Sequence, residues 1–494
     1  MKSGIKISMT RGILFALLFV GFLFMGSCMN REENRKTREL IGKVENSLIP
    51  QVIIEGDSVQ HFNIQERMIY HKVPGLSIAF VDHEKIQWAK GYGYMCFDST
   101  GKVDKNTMFQ AASISKPVAA LMALKLVEEG KIALDEDVNK YLKDWKVETN
   151  EFTREKPITL RGLLTHTAGL TVHGFRGYAE GEEVPDIIQI LDGEKPANSD
   201  PVRPDTISGS ISRYSGGGYT VMQKLIEDVT GGTFPDLMQK NILGEIGMKN
   251  STYQQPLPEA FQSNASPGNR GDGSKIEGNW YTYPEMAAAG LWTTPVDLAK
   301  YMIEVQRSYK GRSNKILSRE MTIQMLTQQA ENQGLGPGVR GNGDSLTFSH
   351  GGANEGFRCM LFGFANTGKG FVIMTNSDNG SAVTWEIIRA IDEVYNWNIF
   401  KPAVRKVIDI NPDSLQRFAG IYQMNPEYTL HIVIKNNKLY VNQEWDKGEY
   451  YLYPVSDLVF FTLEDNTEFV FEESTEKGIM KFTVMGRYVF DRIK

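Results

Sequence analysis

At 494 residues the chain is long enough for one large domain with a smaller companion, or for two to three domains. With 41% hydrophobic and 23% charged residues it has the make-up of an ordinary globular protein, and a formal net charge of −6 without a basic run excludes a nucleic-acid surface. Seven histidines and three cysteines, with no paired or His-Glu-x-x-His spacing among them, give no metal site, and no cofactor is expected.

In chain order, Lys2, Lys6 and Arg11 precede an apolar run, Ile13–Met25, and then Gly26-Ser27-Cys28. That is a charged region, a hydrophobic stretch too short to span a bilayer comfortably and a small-residue cleavage site. It resembles a bacterial lipoprotein signal over 1–27, in which Cys28 is the lipidated first residue, although Met25 stands where that signal usually has Leu. The resemblance implies a lipid-anchored protein of the bacterial cell envelope facing the periplasm or exterior; a plain secretory signal or an uncleaved anchor are the alternatives. Residues 28–50 are polar and charged and read as a tether.

Leu76–Val81 and Ile86–Lys90 read as two strands joined by Asp82-His83-Glu84-Lys85, a hairpin signal. Helical periodicity follows at Ser113–Glu129, Val138–Leu142 and Leu160–His166. A loop-rich insertion runs from Thr171 to Asp205, and helices return at Tyr219–Val229, Phe234–Ile246 and Pro295–Val305. Strand-like runs at Ser345–Ser349, Cys359–Gly363 and Gly370–Met374 precede a helix near Thr384–Trp397. Strands at both ends with helices between them predict an α+β domain over 51–402, a mainly antiparallel sheet with a helical subdomain. After Pro402 the short alternating runs of 413–494, rich in aromatic and β-branched residues, predict a separate small all-β barrel or sandwich. Cys96 and Cys359 either pair or stay as buried thiols.

Ser-x-x-Lys occurs at Ser3, Ser99, Ser113 and Ser474, but only Ser113 opens an apolar helix. There Lys116 lies one turn on, on the same face. A serine hydroxyl needs a neighbour to take its proton, and a lysine can do so when desolvation lowers its pKa toward neutrality. The helix N-terminus adds N–H groups where an oxyanion would form. Tyr214, in Arg213-Tyr214-Ser215-Gly216-Gly217-Gly218-Tyr219 before a helix, is a candidate proton shuttle where a nearby lysine depresses its pKa. In Ser349-His350-Gly351-Gly352-Ala353, between two strand-like runs, the glycines let backbone approach a ligand closely. Gly-x-Ser-x-Gly is absent, which argues against an α/β-hydrolase.

In this order, Ser-x-x-Lys, then the tyrosine, then His-x-Gly resembles the serine β-lactamase and penicillin-binding-protein superfamily, in its class C β-lactamase-like branch. Phe109–Lys116, Leu163–Leu170, Ala287–Thr293 and His350–Asn354 carry the likeness, and the tail resembles a lipocalin-like domain. The resemblance implies an acylated Ser113, Lys116 and Tyr214 as proton-transfer groups, and an oxyanion hole from the N–H groups of Ser113 and Ala353, with His350 and Gly352 beside the substrate. His166 matches a family motif and is expected to pack the helical subdomain. Two departures stand out. Gly216 occupies the place of an asparagine that holds the substrate amide, so that contact is missing or supplied elsewhere. His350 stands where true class C enzymes have lysine. Both favour a peptidase or esterase acting on a small-molecule or peptide substrate; a class C-type β-lactamase and a non-catalytic penicillin- or peptide-binding sensor are the alternatives.

Overall fold

The computed structural model describes residues 32, 35–444, 448–474 and 478–494, so the Ile13–Met25 segment and Cys28 lie outside the described residues. Among those described, no helix is long and apolar enough to cross a membrane. The expected tether over 28–50 is corrected in its second half. Residues 35–45 form a helix, and Val44, Leu48 and Ile49 are buried. Ile41, Val44 and Leu48 recur at helical spacing and pack on the hydrophobic cluster of the main sheet. The charges of Arg35–Lys43 mask that stripe in a composition reading. Glu45 then accepts from Tyr92 at 2.9 Å, fixing the segment to the sheet edge.

Strand β1 (Val52–Ile54) opens the large domain. Its central sheet contains β2 (Gly75–Asp82), β3 (Lys85–Gly93), β6 (Gly338–Arg340), β7 (Thr347–Asn354), β8 (Phe357–Phe364) and β9 (Gly370–Thr375). All pairings are antiparallel and the spatial order is β3-β2-β9-β8-β7-β6. β4 (Phe109–Gln110) and β5 (Trp292–Thr293) pair separately. The two-residue turn His83-Glu84 has both φ positive, near +51° and +56°, the backbone twist that suits a tight hairpin. Along β2 the side chains alternate between two clusters. Ile78 and Phe80 pack against the Gly380–Val394 helix, while Ala79 and Val81 face the larger cluster with the Ser115–Glu128 and Pro295–Tyr309 helices. A sheet covered on both faces explains why β2 is apolar almost throughout.

The His350–Ala353 motif lies within β7 rather than between strands, because β7 runs on to Asn354. The register with β8 pairs Gly352 with Cys359 and Ala353 with Arg358. β6 covers the other edge of β7 only from Thr347 to Ser349, so the edge from His350 onward borders open space. Cys96 and Cys359 are buried free thiols.

The tail forms a nearly closed antiparallel barrel of nine strands between Gly420 and Arg492 around its own aromatic core. It joins the large domain through β1, which pairs in parallel with β10 (Ala403–Arg405) just beyond Pro402. Gln51 donates to the Asp465 carbonyl and Arg405 to Asn466, so the two-stranded ladder also touches the barrel.

Asn376, buried at the end of β9, ties three segments together. Its Oδ1 accepts from Gly75 N, and its Nδ2 donates to the carbonyl of Met95 and to Ser266 Oγ. Asn376→Ala leaves the Gly75 N–H without its partner and removes the ties to Met95 and Ser266, and is expected to cost about 3 kcal/mol, read from denaturant unfolding; a loss below about 1 kcal/mol would contradict this role.

Candidate active site

Three segments meet at the cleft. Ser113 sits in a 3-10 turn, Ala112–Ile114, that leads into the Ser115–Glu128 helix. The residue before it, Ala112, holds φ near +48°, a left-handed conformation that costs energy for a residue with a Cβ. That kink lifts the half-exposed Ser113 hydroxyl out of a helix that is otherwise nearly all buried. Lys116 is 2% exposed, and its Nζ lies 3.1 Å from Ser113 Oγ.

Lys116 Nζ also donates to the Ala288 carbonyl at 2.8 Å. The short Met286–Ala289 helix presents that carbonyl, and it is held from both sides. Ala287 N donates to Gln223 Oε1, and the N–H groups of Ala288 and Ala289 close on the carbonyl of Glu285. Among the described residues no carboxylate balances the ammonium, and burial brings the lysine down to about 7.

Tyr214 lines the cleft together with Ser113, and Lys116 Nζ lies 4.9 Å from the centroid of the tyrosine ring. Burial pushes the phenol up to about 12. The expectation that lysine depresses it is therefore corrected: desolvation outweighs the lowering effect of the Ser113 side chain, and Tyr214 is a proton donor at neutral pH while Lys116 is the group poised to accept. His166, expected as subdomain packing, also shapes this wall. Its ring lies 4.2 Å from that of Tyr214 and its Nδ1 accepts from Ser215 N. His166 stood in the Leu163–Leu170 motif, which was the available signal.

On the opposite wall, the His350 Nδ1–H donates to the Gly351 carbonyl at 2.6 Å. Burial against the cleft wall, reinforced by the Lys116 charge, brings this half-buried ring down to about 4, so it is neutral at pH 7. Gly352 is needed for close approach. A Cβ there would stand 2.3 Å from the Ala111 carbonyl oxygen and 2.4 Å from Cys359 Sγ. A Cβ on Gly351 would meet only ordinary contacts, the Cys359 carbonyl oxygen at 3.8 Å and Met360 Sδ at 3.9 Å. Cys359 Sγ donates to that Ala111 carbonyl at 3.0 Å, and the Asn354 side chain reaches Gln110 at 2.7 Å. β7 is thereby clamped to the turn that bears Ser113, with Ala353 on its open stretch. The sequence reading did not find Ala288, Gln110 or Asn354 as supports.

Ser113, Lys116, Tyr214, His350, Gly352 and Ala353 all line one cleft of about 640 Å³. The arrangement joins an exposed hydroxyl, a desolvated amine and a protonated phenol, the elements needed to transfer an acyl group. Among the described residues no cluster of His, Cys, Asp or Glu could hold a metal ion.

The family model described as Beta-lactamase matches residues 63–394. A curated relative, the teichoic acid D-alanine hydrolase of Staphylococcus aureus, is 28% identical over 245 residues, 49% of this chain and 56% of that protein. The chain thus matches little more than half the length of that relative. A penicillin-binding protein homologue from Pyrococcus abyssi superposes with a TM-score of 0.55 at 21% identity, covering 86% of this chain and 98% of the other. D-amino acid amidase from Ochrobactrum anthropi SV3 gives 0.56 at 19% identity, covering 72% and 99%. At these identities the two structures establish the fold.

Two outcomes follow from the geometry. Acylation of Ser113 by a fluorophosphonate should slow about tenfold per pH unit below about 7, where Lys116 becomes protonated; Lys116→Arg, protonated throughout, should abolish that limb together with the reaction. A rate flat from pH 5 to 9 in the unsubstituted enzyme would contradict the assignment. Gly352→Ala should slow the same labelling by about 10²-fold, since β7 must move away from Ala111; wild-type labelling by this variant would show that the clamp is not needed.

Proposed function

The chain belongs to the Beta-lactamase family, and from that premise we propose that it hydrolyses small esters or peptide-like amides of D-amino acids through an acyl-enzyme on Ser113. One observation carries the reading: the Ser113 hydroxyl lies 3.1 Å from a lysine buried without a counter-ion. The names of the similar proteins, a D-alanine hydrolase and a D-amino acid amidase, support the D-amino-acid class.

In the proposed reaction neutral Lys116 takes the Ser113 proton as Oγ bonds to the substrate carbonyl carbon. The negative charge on the carbonyl oxygen is met by the N–H groups of Ser113 and Ala353, where each donor is worth about 3–4 kcal/mol. The tetrahedral centre collapses, the bond to the leaving group breaks, and Tyr214 gives that group a proton while Lys116 returns one to the phenol. Water then reverses the sequence, giving its proton to Lys116 and its oxygen to the acyl carbon, and Ser113 recovers its hydrogen.

β-Lactams are expected to acylate and then turn over slowly. His350 is neutral and lacks the charge to hold their carboxylate, and Gly216 offers no side chain for their amide. A panel of D- and L-alanyl p-nitrophenyl esters, D-Ala-D-Ala peptides and a chromogenic cephalosporin tests this. D-configured esters or amides should be the better substrates, and Ser113→Ala should lose about 10³-fold or more. Cephalosporin hydrolysis at about 10⁶ M⁻¹s⁻¹ or above with negligible esterase activity would instead make the protein a β-lactamase.

The enzyme is further proposed to sit at the cell envelope, anchored through lipidated Cys28 and facing the periplasm or exterior, on the support of Ile13–Met25 followed by Gly-Ser-Cys. Cys28→Ser should release it from the membrane fraction and abolish fatty-acid labelling; unchanged fractionation and labelling would refute the anchor.

A further inference from the structure

The Gly216–Thr230 helix begins with three glycines, so its first turn brings no side chain to the cleft. The space beside it is filled from the Thr171–Asp205 insertion. A Cβ on Gly216 would stand 3.1 Å from the Phe175 ring and 3.2 Å from the His173 carbonyl oxygen. The loop is pinned there by Gly216 N donating to the His173 carbonyl, Gly217 N to the Val172 carbonyl, and Ser215 Oγ to the Thr171 carbonyl. Val172 holds φ near +62°, which is unfavourable for a β-branched residue and is sustained by these contacts.

This geometry turns the exposed His173 side chain into the cleft, 5.0 Å from the Tyr214 ring between centroids. Its Nδ1 is 3.2 Å from the Tyr214 carbonyl oxygen. A carbonyl can only accept, so Nδ1 carries the hydrogen, and in the neutral ring Nε2 presents a lone pair. No protein group described here bonds that Nε2. Of the side chains on this wall apart from Tyr214, His173 is the polar one; its neighbours are Gly174 and Phe175.

The other arm of the cleft differs in chemistry. It is lined by Arg358, Ser381 and Thr384. Arg358 uses Nη1 for the carbonyls of Asn354 and Phe357 and for Asp378. That arm suits a polar or anionic leaving group. The arm at the insertion, an apolar ring beside one imidazole nitrogen free to accept, suits a small acyl group bearing an N–H.

We propose that His173 is a specificity-determining residue whose Nε2 accepts a hydrogen bond from an N–H on the acyl part of the substrate. The proposal rests on the acyl-enzyme reading above and adds the group that selects the acyl part. The N–H belongs either to an acylated amine, as in a peptide, or to a free α-ammonium. No Asp or Glu lines the cleft among the described residues, which favours the amide.

Three p-nitrophenyl esters separate these cases: N-acetyl-D-alanyl, D-alanyl and propionyl, the last with no N–H. The readout is the ratio of kcat/KM for each N–H-bearing ester to that for propionyl, which is independent of how much enzyme folds. In His173→Phe the N-acetyl-D-alanyl ratio should fall about tenfold, the worth of one hydrogen bond. In His173→Gln, whose amide oxygen still accepts, it should recover in part. A fall confined to the D-alanyl ratio would support His173 as the acceptor and assign the N–H to the ammonium. Ratios unchanged within about twofold in His173→Phe, or lowered equally in both variants, would overturn the proposal. Ester hydrolysis that survives Ser113→Ala would instead overturn the acyl-enzyme reading, and with it the ground for this one.

Discussion

The burial of one lysine without a counter-ion is the constraint on which the rest of the site depends. Lys116 belongs to a helix that runs through the largest core cluster and is itself only 2% exposed, so its ammonium is held largely out of water. Lowering it from 10.5 to about 7 means that the fold penalises the charged form by roughly 5 kcal/mol. A carboxylate within contact distance would relieve that cost and also hold the lysine charged, with no capacity to accept a proton. Among the described residues the hydrogen-bond partner of Lys116 besides Ser113 is the Ala288 carbonyl, a dipole rather than a charge. Held that way, the amine is partly neutral at physiological pH and faces the Ser113 hydroxyl, from which it takes the proton in the proposed reaction.

The surrounding structure keeps this pair in place at some local cost. Ala112, His166 and Val172, all non-glycine residues with positive φ, border the cleft. Two of them are held by neighbours: Ala112 by the clamp between Ala111, Cys359 and Gly352, Val172 by the hydrogen bonds that tie its loop to the glycine-rich helix start. Such strain is tolerated where a rigid frame fixes it, and here the frame is the sheet that is packed on both faces. The C-terminal barrel has its own core and meets the large domain through the β1–β10 ladder and polar contacts at 465, 466 and 468.

Some of this was legible in the chain because it is local. The Ser113 to Lys116 spacing is a property of a single helical turn, and the β2–β3 hairpin follows from alternation around a short polar turn. The barrel likewise shows in the short alternating runs after residue 413. Other features depend on contacts between distant segments and left no local trace. Lys116 and Ala288 are 172 positions apart, and Asn354 and Gln110 are 244 apart. The helix over 35–45 was hidden by its charges although Ile41, Val44 and Leu48 carry the apolar stripe. His350 to Ala353 read as a glycine-rich connection, yet backbone pairing with β8 carries the strand straight through it. For Tyr214, proximity to a lysine suggested a lowered pKa, and only the extent of its burial reverses the direction.

Everything in the proposed chemistry requires that Lys116 be partly neutral before substrate arrives. That requirement is tested most directly by titrating the lysine itself, with ¹³C-labelled ε-carbons observed by NMR in wild-type enzyme and the Lys116 resonance assigned by its loss in Lys116→Met. A single lysine signal titrating near pH 7, apart from the surface lysines near 10.4, is the predicted result. A Lys116 signal that titrates with the surface lysines would contradict the account.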